Sequence, residues 1–227
     1  MPASAFWAIF DTEGLWQIIS LSLGVSLTAS ALASLAGVSL GSVLAVCSFP
    51  GRRLFVILTN AFLGLPPVVV GLTLYLLLSR SGPLAVTGLL FTPEAMVLAQ
   101  FVLATPIVTA FVHRAVETAW GRYGGALMVD GASRLRAVPH LLAVERIPVL
   151  VAILAGFGRT VSEVGAILIV GGNIAGYTRT MTTAIVLETS KGNLSLALGL
   201  GFVLIGVSIA VSAAIFALGM RGGRRWW

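Results

Sequence analysis

The sequence predicts an all-α integral membrane protein with about five transmembrane helices. Of its 227 residues, 58% are hydrophobic and only 10% are charged, and the mean hydropathy is +1.03. A soluble domain carries roughly 25% charged residues, so this chain has too little polar surface to cover a water-soluble globule. The same composition excludes a disordered chain, because disorder requires low hydrophobicity and high charge. Long windows without charge recur along the chain and supply the spans.

Five windows are long and apolar enough to cross a bilayer, whose hydrocarbon core of about 30 Å needs about 20 helical residues. They predict spans over 16–48, 54–79, 95–113, 147–171 and 194–219 within a single domain, 1–227. The first window is longer than the bilayer requires, which favours a tilted helix. Arg159 and Glu163 interrupt the fourth.

The positive charges predict the orientation, because cytoplasmic loops of membrane proteins are enriched in Lys and Arg. One side of the five-span topology collects ten arginines: Arg52, Arg53, Arg114, Arg122, Arg134, Arg136, Arg146, Arg221, Arg224 and Arg225. The other side collects only Arg80, Arg179 and Lys191. We therefore expect the N-terminus outside and the Arg224–Trp227 tail in the cytoplasm. Topology then explains the net charge of +6 without nucleic acid.

The N-terminus does not have the pattern of a cleaved signal peptide. Asp11 and Glu13 lie near its start, and no basic segment precedes the apolar window. A secretory signal begins with a positively charged region, so we expect this end to be retained.

Small residues form a seam along the first span. They recur at four-residue intervals and continue on nearly the same face: Ser22, Ser26, Ser30, Ser34, Gly37 and Gly41. Residues four apart stack on one side of a helix, and small ones let two helix backbones approach closely. Close packing is one interpretation, and a polar wall of a pathway is the other.

The second span contains Leu65–Pro66–Pro67 at its middle. Proline removes a backbone donor and clashes with the preceding turn, so the helix must kink or unwind there. Broken helices at membrane depth are tolerated only where protein or water lines them. The break is therefore either a pathway element or a plain kink.

Arg159 and Glu163 are four residues apart in the fourth span, so we expect them to share a helix face. A charge at membrane depth is costly unless it is paired or hydrated. The pair is either a structural ion pair or, together with Thr160 and Ser162, part of a gate that opens to water. In the second case Arg159 is a candidate partner for a transient anion.

Two polar segments lie between the apolar windows. The cytoplasmic stretch 114–146 is predicted to be helical, with a break at Gly124–Gly125 and further punctuation at Pro139 and Pro148. The outer stretch 172–193 is rich in threonine and small residues.

Nucleotide-binding and catalytic chemistry have no basis in this sequence. The single lysine, Lys191, precedes Gly192, so no phosphate-binding loop ending in Lys-Ser or Lys-Thr exists. His113, His140 and Cys47 do not form a metal-ligand set, and no nucleophile–base pattern occurs. We therefore predict no catalytic residue, no metal site and no cofactor; any ATP must be bound by another chain.

Several motifs resemble permease subunits of ATP-binding cassette (ABC) importers of the molybdate, tungstate and sulfate branch. Asp130-Gly131-Ala132-Ser133-Arg134-Leu135-Arg136 resembles the core of their coupling loop, and Gly158–Ala166 resembles an oxyanion-permease stretch. Ser48–Arg52 and Leu65–Gly71 fit the same family. Two further stretches, 170–174 and 179–189, look most like tungstate permeases. Six-span relatives carry an extra N-terminal helix that this chain is expected to lack.

The resemblance implies a type I ABC importer permease in a prokaryotic cytoplasmic membrane. It implies a homodimer, two ATP-binding subunits that use ATP and Mg²⁺ beneath it, and an extracytoplasmic solute-binding protein above it. It assigns residues to three sites: coupling to Asp130, Gly131, Ala132, Ser133, Arg134 and Arg136; the pathway or gate to Pro66, Pro67, Arg159, Ser162 and Glu163; and the outer loop to Asn173, Thr178 and Arg179. A stand-alone ion-coupled carrier or channel, and a molybdate or sulfate permease, are the alternatives.

Overall fold

The structure, a computed structural model, describes residues 13–221. Within that range it contains nine α-helices and no strand, which confirms the predicted all-α class. The helices are α1 Glu13–Val46, α2 Arg52–Ala61, α3 Pro67–Leu78, α4 Pro93–Val129, α5 Arg134–Val144, α6 Arg146–Val161, α7 Gly165–Gly171, α8 Met181–Ser190 and α9 Leu194–Arg221. Asp11 and the predicted cytoplasmic tail Arg224–Trp227 lie outside the described residues.

Three helices are long and apolar enough to cross a membrane unaided: Gly14–Val46, Pro93–Val129 and Leu194–Ala217. Two more spans are obtained if a bent pair counts as one, since α2 with its following turn joins α3, and α5 joins α6, across short breaks. That count agrees with the predicted five. The fourth span differs from the predicted 147–171, because the bent pair joins α5 to α6 and ends at Val161, and α7 begins only at Gly165.

The predicted helix break at Gly124–Gly125 is wrong. Helix α4 continues through both glycines to Val129. A glycine in a helix interior costs about 1 kcal/mol relative to alanine but does not by itself end the helix. A Cβ on Gly124 would lie 2.7 Å from the Trp120 ring, so the small residue makes room for that indole. Pro139 likewise lies inside α5 rather than at its end.

The chain divides into two compact units. Among the described residues, the first comprises 13–29, 66–101 and 159–211, and the second comprises 30–65, 102–158 and 212–221. In the first unit α3 packs against α7. A smaller apolar cluster there contains Leu15, Ala184 and Leu200.

The core of the second unit lies between the second half of α1, the middle of α4, α5 and α6. Its buried members are Ala45, Val46, Val108, Val112, Val116, Ala119, Ala137, Leu141 and Ala152. The glycines of the predicted seam are both buried and bring α1 against α4. A Cβ on Gly37 would lie 2.6 Å from Val108 Cβ, and one on Gly41 would lie 2.7 Å from Thr109 O. At these two positions the seam is a packing surface.

Helix α9 exposes most of its apolar side chains. Only 17% of its apolar window is buried, and Leu198, Phe202, Ile205 and Ile209 are each more than half exposed. A soluble protein rarely exposes so continuous an apolar surface. This surface suits lipid or another apolar partner.

The close contact at Gly41 generates a stability prediction. Gly41→Ala places a methyl group against the backbone atoms Thr109 O and His113 N, which cannot move without shifting α4. Overpacking of this kind costs about 1–3 kcal/mol and outweighs the helix propensity gained. We expect a lower melting temperature of the detergent-solubilised protein. Gly24→Ala in the same helix is the control, because no atom lies within 4 Å of its added Cβ. An unchanged melting temperature for Gly41→Ala would contradict the close packing.

Candidate functional site

The second span is broken at the predicted prolines. Helix α2 ends at Ala61, a 3-10 turn covers Phe62–Gly64, and α3 begins at Pro67. Pro66 O accepts hydrogen bonds from Val69 N at 3.1 Å and Val70 N at 3.2 Å, so the new helix begins immediately after the break. The prediction of a kink or unwound segment is confirmed.

The fourth span is also broken, and here the expectation that Arg159 and Glu163 share one helix face is wrong. Arg159 lies in the last turn of α6, whereas Glu163 lies in the non-helical connection to α7. Glu163 Oε1 accepts a hydrogen bond from Ala166 N at 3.0 Å, which satisfies one of the unpaired donors at the start of α7. Glu163 O accepts a second from Thr182 Oγ1 at 2.9 Å. These two hydrogen bonds take the place of helical ones and hold the connection between α6 and α7 in a non-helical conformation.

Arg159 and Glu163 nevertheless form the predicted ion pair, with Nη1 2.9 Å from Oε2. The Glu163 side chain is 2% exposed and that of Arg159 is 26% exposed. A cation in the last helical turn is favoured by the α6 dipole, because the carbonyl end carries partial negative charge. The buried carboxylate depends on its partner, since removing one member of a buried pair strands a charge at a cost of about 3–5 kcal/mol.

The two breaks lie next to each other. Helices α3 and α7, which follow the breaks, pack together so closely that a Cβ on Gly71 would lie 2.8 Å from Ala166 Cα. At the start of each helix, a Cβ on Gly165 would lie 3.0 Å from Val68 Cγ2. Pro67 directly precedes Val68, and Glu163 lies two residues before Gly165. The helices that follow the two breaks are therefore in contact at their starts, which places Pro67 and Glu163 close to the same contact.

Buried polar hydrogen bonds lie beside the break in the fourth span. Gln100 Nε2 donates to Thr160 O at 2.9 Å, and Thr160 Oγ1 donates to Ser26 O at 3.3 Å. Met181 N donates to Ser22 Oγ at 2.7 Å. Ser22 and Ser26, the first serines of the seam, are therefore both closely packed and part of the buried hydrogen bonds. The importance of Gln100 was missed, although an amide inside an apolar window was a signal that could have indicated it.

The three residues predicted to lie in the outer loop have different environments. Thr178 is fully buried; its Oγ1 donates to Gly171 O at 2.6 Å and accepts from Ile174 N at 2.9 Å, so it shapes the loop. Arg179 Nε lies 3.3 Å from Asn173 Oδ1, and both side chains are partly exposed. Farther along, Lys191 donates a hydrogen bond to Glu188 and lowers the pKa of that carboxyl.

The predicted coupling residues lie in the turn between α4 and α5, which covers Asp130 to Ser133, and in the first turn of α5, which contains Arg134 and Arg136. Asp130 is exposed, and Gly131 adopts a φ of 85°, a left-handed conformation that favours glycine. Ser133 caps α5 by accepting a hydrogen bond from Arg136 N at 3.4 Å. Apolar side chains flank the turn: Val129 is 88% exposed and Leu135 59%. Arginine beside exposed apolar groups is typical of a protein-docking surface.

Arg134 forms hydrogen bonds within its own chain. Its Nη1 donates to Ser48 Oγ at 2.9 Å and to Val46 O at 3.3 Å, at the C-terminal end of α1. Arg52 acts similarly, since its Nε donates to Leu44 O at 2.6 Å. Two arginines therefore satisfy carbonyls that a helix end leaves unpaired.

Arg52 also links α1 to α4. Its Nη2 lies 2.6 Å from Glu117 Oε1 and 3.3 Å from His113 Nε2. The sequence pattern did not predict this cluster of Arg52, His113 and Glu117. Among residues 13–221, no group of three or more His, Cys, Asp and Glu side chains is arranged to hold a metal ion.

The chain matches no protein-family model. It is 38% identical over 202 residues to the "Probable anion ABC transporter permease protein" of Haloferax volcanii, covering 87% of each chain. It is 35% identical over 209 residues to the tungstate uptake system permease protein TupB of Peptoclostridium acidaminophilum, covering 92% of this chain and 91% of that one. TupB of Campylobacter jejuni is 38% identical over 164 residues, covering 72% and 69%.

Within the range that the structure describes, Arg134 forms side-chain hydrogen bonds and Arg136 does not, and substitution of each residue tests this difference. Arg134→Ala removes the side-chain bonds to Val46 O and Ser48 Oγ, and hydrogen bonds from charged groups contribute about 1–3 kcal/mol. We expect a lower melting temperature. Arg136→Ala is the matched control, because the exposed Arg136 side chain makes no hydrogen bond or ion pair within the part of the chain that the structure describes. Equal melting temperatures for both variants would refute the capping role of Arg134.

Proposed function

The chain belongs to the ABC transporter permeases of the molybdate, tungstate and sulfate branch, and from that membership we propose that it forms the translocation pathway of a tungstate importer. As a permease it is a non-catalytic, multi-pass membrane subunit. The observation that carries the choice of tungstate is the similarity to tungstate permeases over most of the chain. The chain itself binds no cofactor.

The transporter is assembled from several chains. Two copies of this chain enclose the pathway, two ATP-binding subunits lie beneath them and use ATP and Mg²⁺, and a solute-binding protein delivers the oxyanion from outside. The absence of a lysine followed by a hydroxyl residue supports an external source of ATP hydrolysis. The uneven distribution of arginine supports an outer N-terminus and a cytoplasmic C-terminus.

The gate comprises Pro66, Pro67, Arg159, Ser162 and Glu163. Adjacent helix breaks support this assignment, because non-helical backbone at membrane depth is tolerated only beside protein or water. The ion pair holds the closed arrangement, and its rearrangement frees Arg159 to face a passing anion. Alternating access then moves α3 and α7 as packed helices.

The coupling site comprises the turn from Asp130 to Ser133 and the first turn of α5, with Arg134 and Arg136. Its apolar flank, formed by Val129 and Leu135, supports docking into a cleft of the ATP-binding subunit. Arg136 faces the partner, while Arg134 positions the turn against the end of α1. Gly131 and Ser133 shape the turn, and Ala132 joins them. On the outer side Asn173 and Arg179 contact the solute-binding protein, and Thr178 holds their loop in shape.

Reconstitution tests the proposed function. We expect radiolabelled tungstate to accumulate in liposomes only when this chain is combined with its cognate ATP-binding subunit, its solute-binding protein and ATP. Liposomes that contain this chain alone, and complete ones with a non-hydrolysable ATP analogue, are the controls. Competition by molybdate and sulfate ranks the three oxyanions. Accumulation by this chain alone would favour a stand-alone carrier, and preferred uptake of sulfate by the complete system would contradict a tungstate importer.

A further inference from the structure

Helix α2 is unusual because it buries none of its residues, and neither does the turn over Phe62–Gly64 that follows it. Both belong to the second span. A helix with so little contact to its own chain must have another environment on its outward face. The chemistry of the residues on that face indicates which environment it contacts.

The two sides of α2 differ in chemistry. Phe55, Thr59 and Phe62 face a mostly apolar cavity of about 300 Å³ that α1 and α4 complete. Arg53, Ile57 and Asn60 recur at intervals of four and three residues, so they share the opposite side of the helix. All three are exposed, and we call them the α2 stripe.

The stripe contains the polar side chain of Asn60, for which contact with lipid would be unfavourable. Asn60 is exposed, and its Nδ2 donates to Val56 O at 2.7 Å, which leaves its second amide hydrogen and its Oδ1 without a hydrogen bond among the described residues. Three residues farther along the chain is the carbonyl of Leu63. In a continuous helix this oxygen would accept a hydrogen bond from the N–H of residue 66 or 67, but both are prolines and have no N–H. Unsatisfied polar groups in hydrocarbon cost several kcal/mol each, so this side contacts water or protein.

Charge on the stripe favours an anion. Arg53 has no hydrogen bond or ion pair in the described chain, whereas its neighbour Arg52 is fixed by Glu117. Arg53 and Asn60 are seven residues apart, about 10 Å along the helix axis. A cation and a neutral amide donor on one face are the groups that an oxyanion requires.

We propose that the α2 stripe lines the water-filled pathway toward its cytoplasmic end. Asn60 donates a hydrogen bond to the passing tetrahedral dianion, and Arg53 attracts that dianion toward the exit. This inference rests on the proposed function, because it gives the transported oxyanion its contacts on the chain. It adds Arg53 and Asn60 to the residues that act on the substrate.

Cysteine labelling tests whether the stripe faces water. Single cysteines are introduced at Ile57, Asn60 and Thr59 of the full transporter after Cys47→Ser removes the native thiol. Membranes are treated with an anionic, water-soluble methanethiosulfonate that carries a sulfonate. We expect labelling at Ile57→Cys and Asn60→Cys, slowed by tungstate, and little at Thr59→Cys on the opposite side. Absence of labelling at both stripe positions, or a disulfide between copies at Asn60→Cys without labelling, would overturn the inference.

Uptake tests whether the stripe acts on the anion. Asn60→Asp preserves shape but places a like charge in the pathway, so we expect at least about a tenfold loss of tungstate uptake. Thr59→Val, the adjacent position on the cavity side, is the control and retains uptake. Wild-type uptake by Asn60→Asp would refute the role of Asn60. Labelled stripe cysteines in a transporter that takes up no oxyanion would uphold the aqueous stripe and overturn the proposed function instead.

Discussion

Every polar backbone group at membrane depth must find a partner in the protein or in a water-filled space, and both helix breaks must meet this constraint. At the fourth span Glu163 supplies the solution, because its carboxylate accepts from Ala166 N while its carbonyl accepts from Thr182. That carboxylate is itself buried and needs Arg159 to balance its charge. The ion pair is therefore the interaction on which this arrangement of the break depends.

Each compact unit uses arginine at the end of a helix. In the first unit, Arg159 occupies the last turn of α6 and pairs with the carboxylate that begins α7. In the second, Arg52 and Arg134 bind the final carbonyls of α1. The guanidinium suits this task because it stays charged and offers several donors in a fixed plane. In both units, arginine therefore stabilises the end of one helix and holds the following element in position.

The parts of the fold that depend on local chemistry could be predicted from the sequence. The break at Leu65–Pro66–Pro67 follows from missing N–H groups, and the spans follow from apolar length. The break after Val161 could not be predicted, because it needs Thr182, nineteen residues away from Glu163. The inward role of Arg134 was equally hidden, since its partner Val46 lies 88 residues earlier. Contacts between segments far apart in the sequence therefore determine the features that the sequence pattern could not predict.

A double-mutant cycle on Arg159 and Glu163 tests the central role of the ion pair most directly. The melting temperature of the purified transporter is measured for Arg159→Gln, Glu163→Gln and the double variant. We predict the larger drop for Arg159→Gln, because it strands the more deeply buried charge, and partial recovery in the double variant. Single effects that simply add in the double variant would show that the two side chains are not energetically coupled, and would contradict this account.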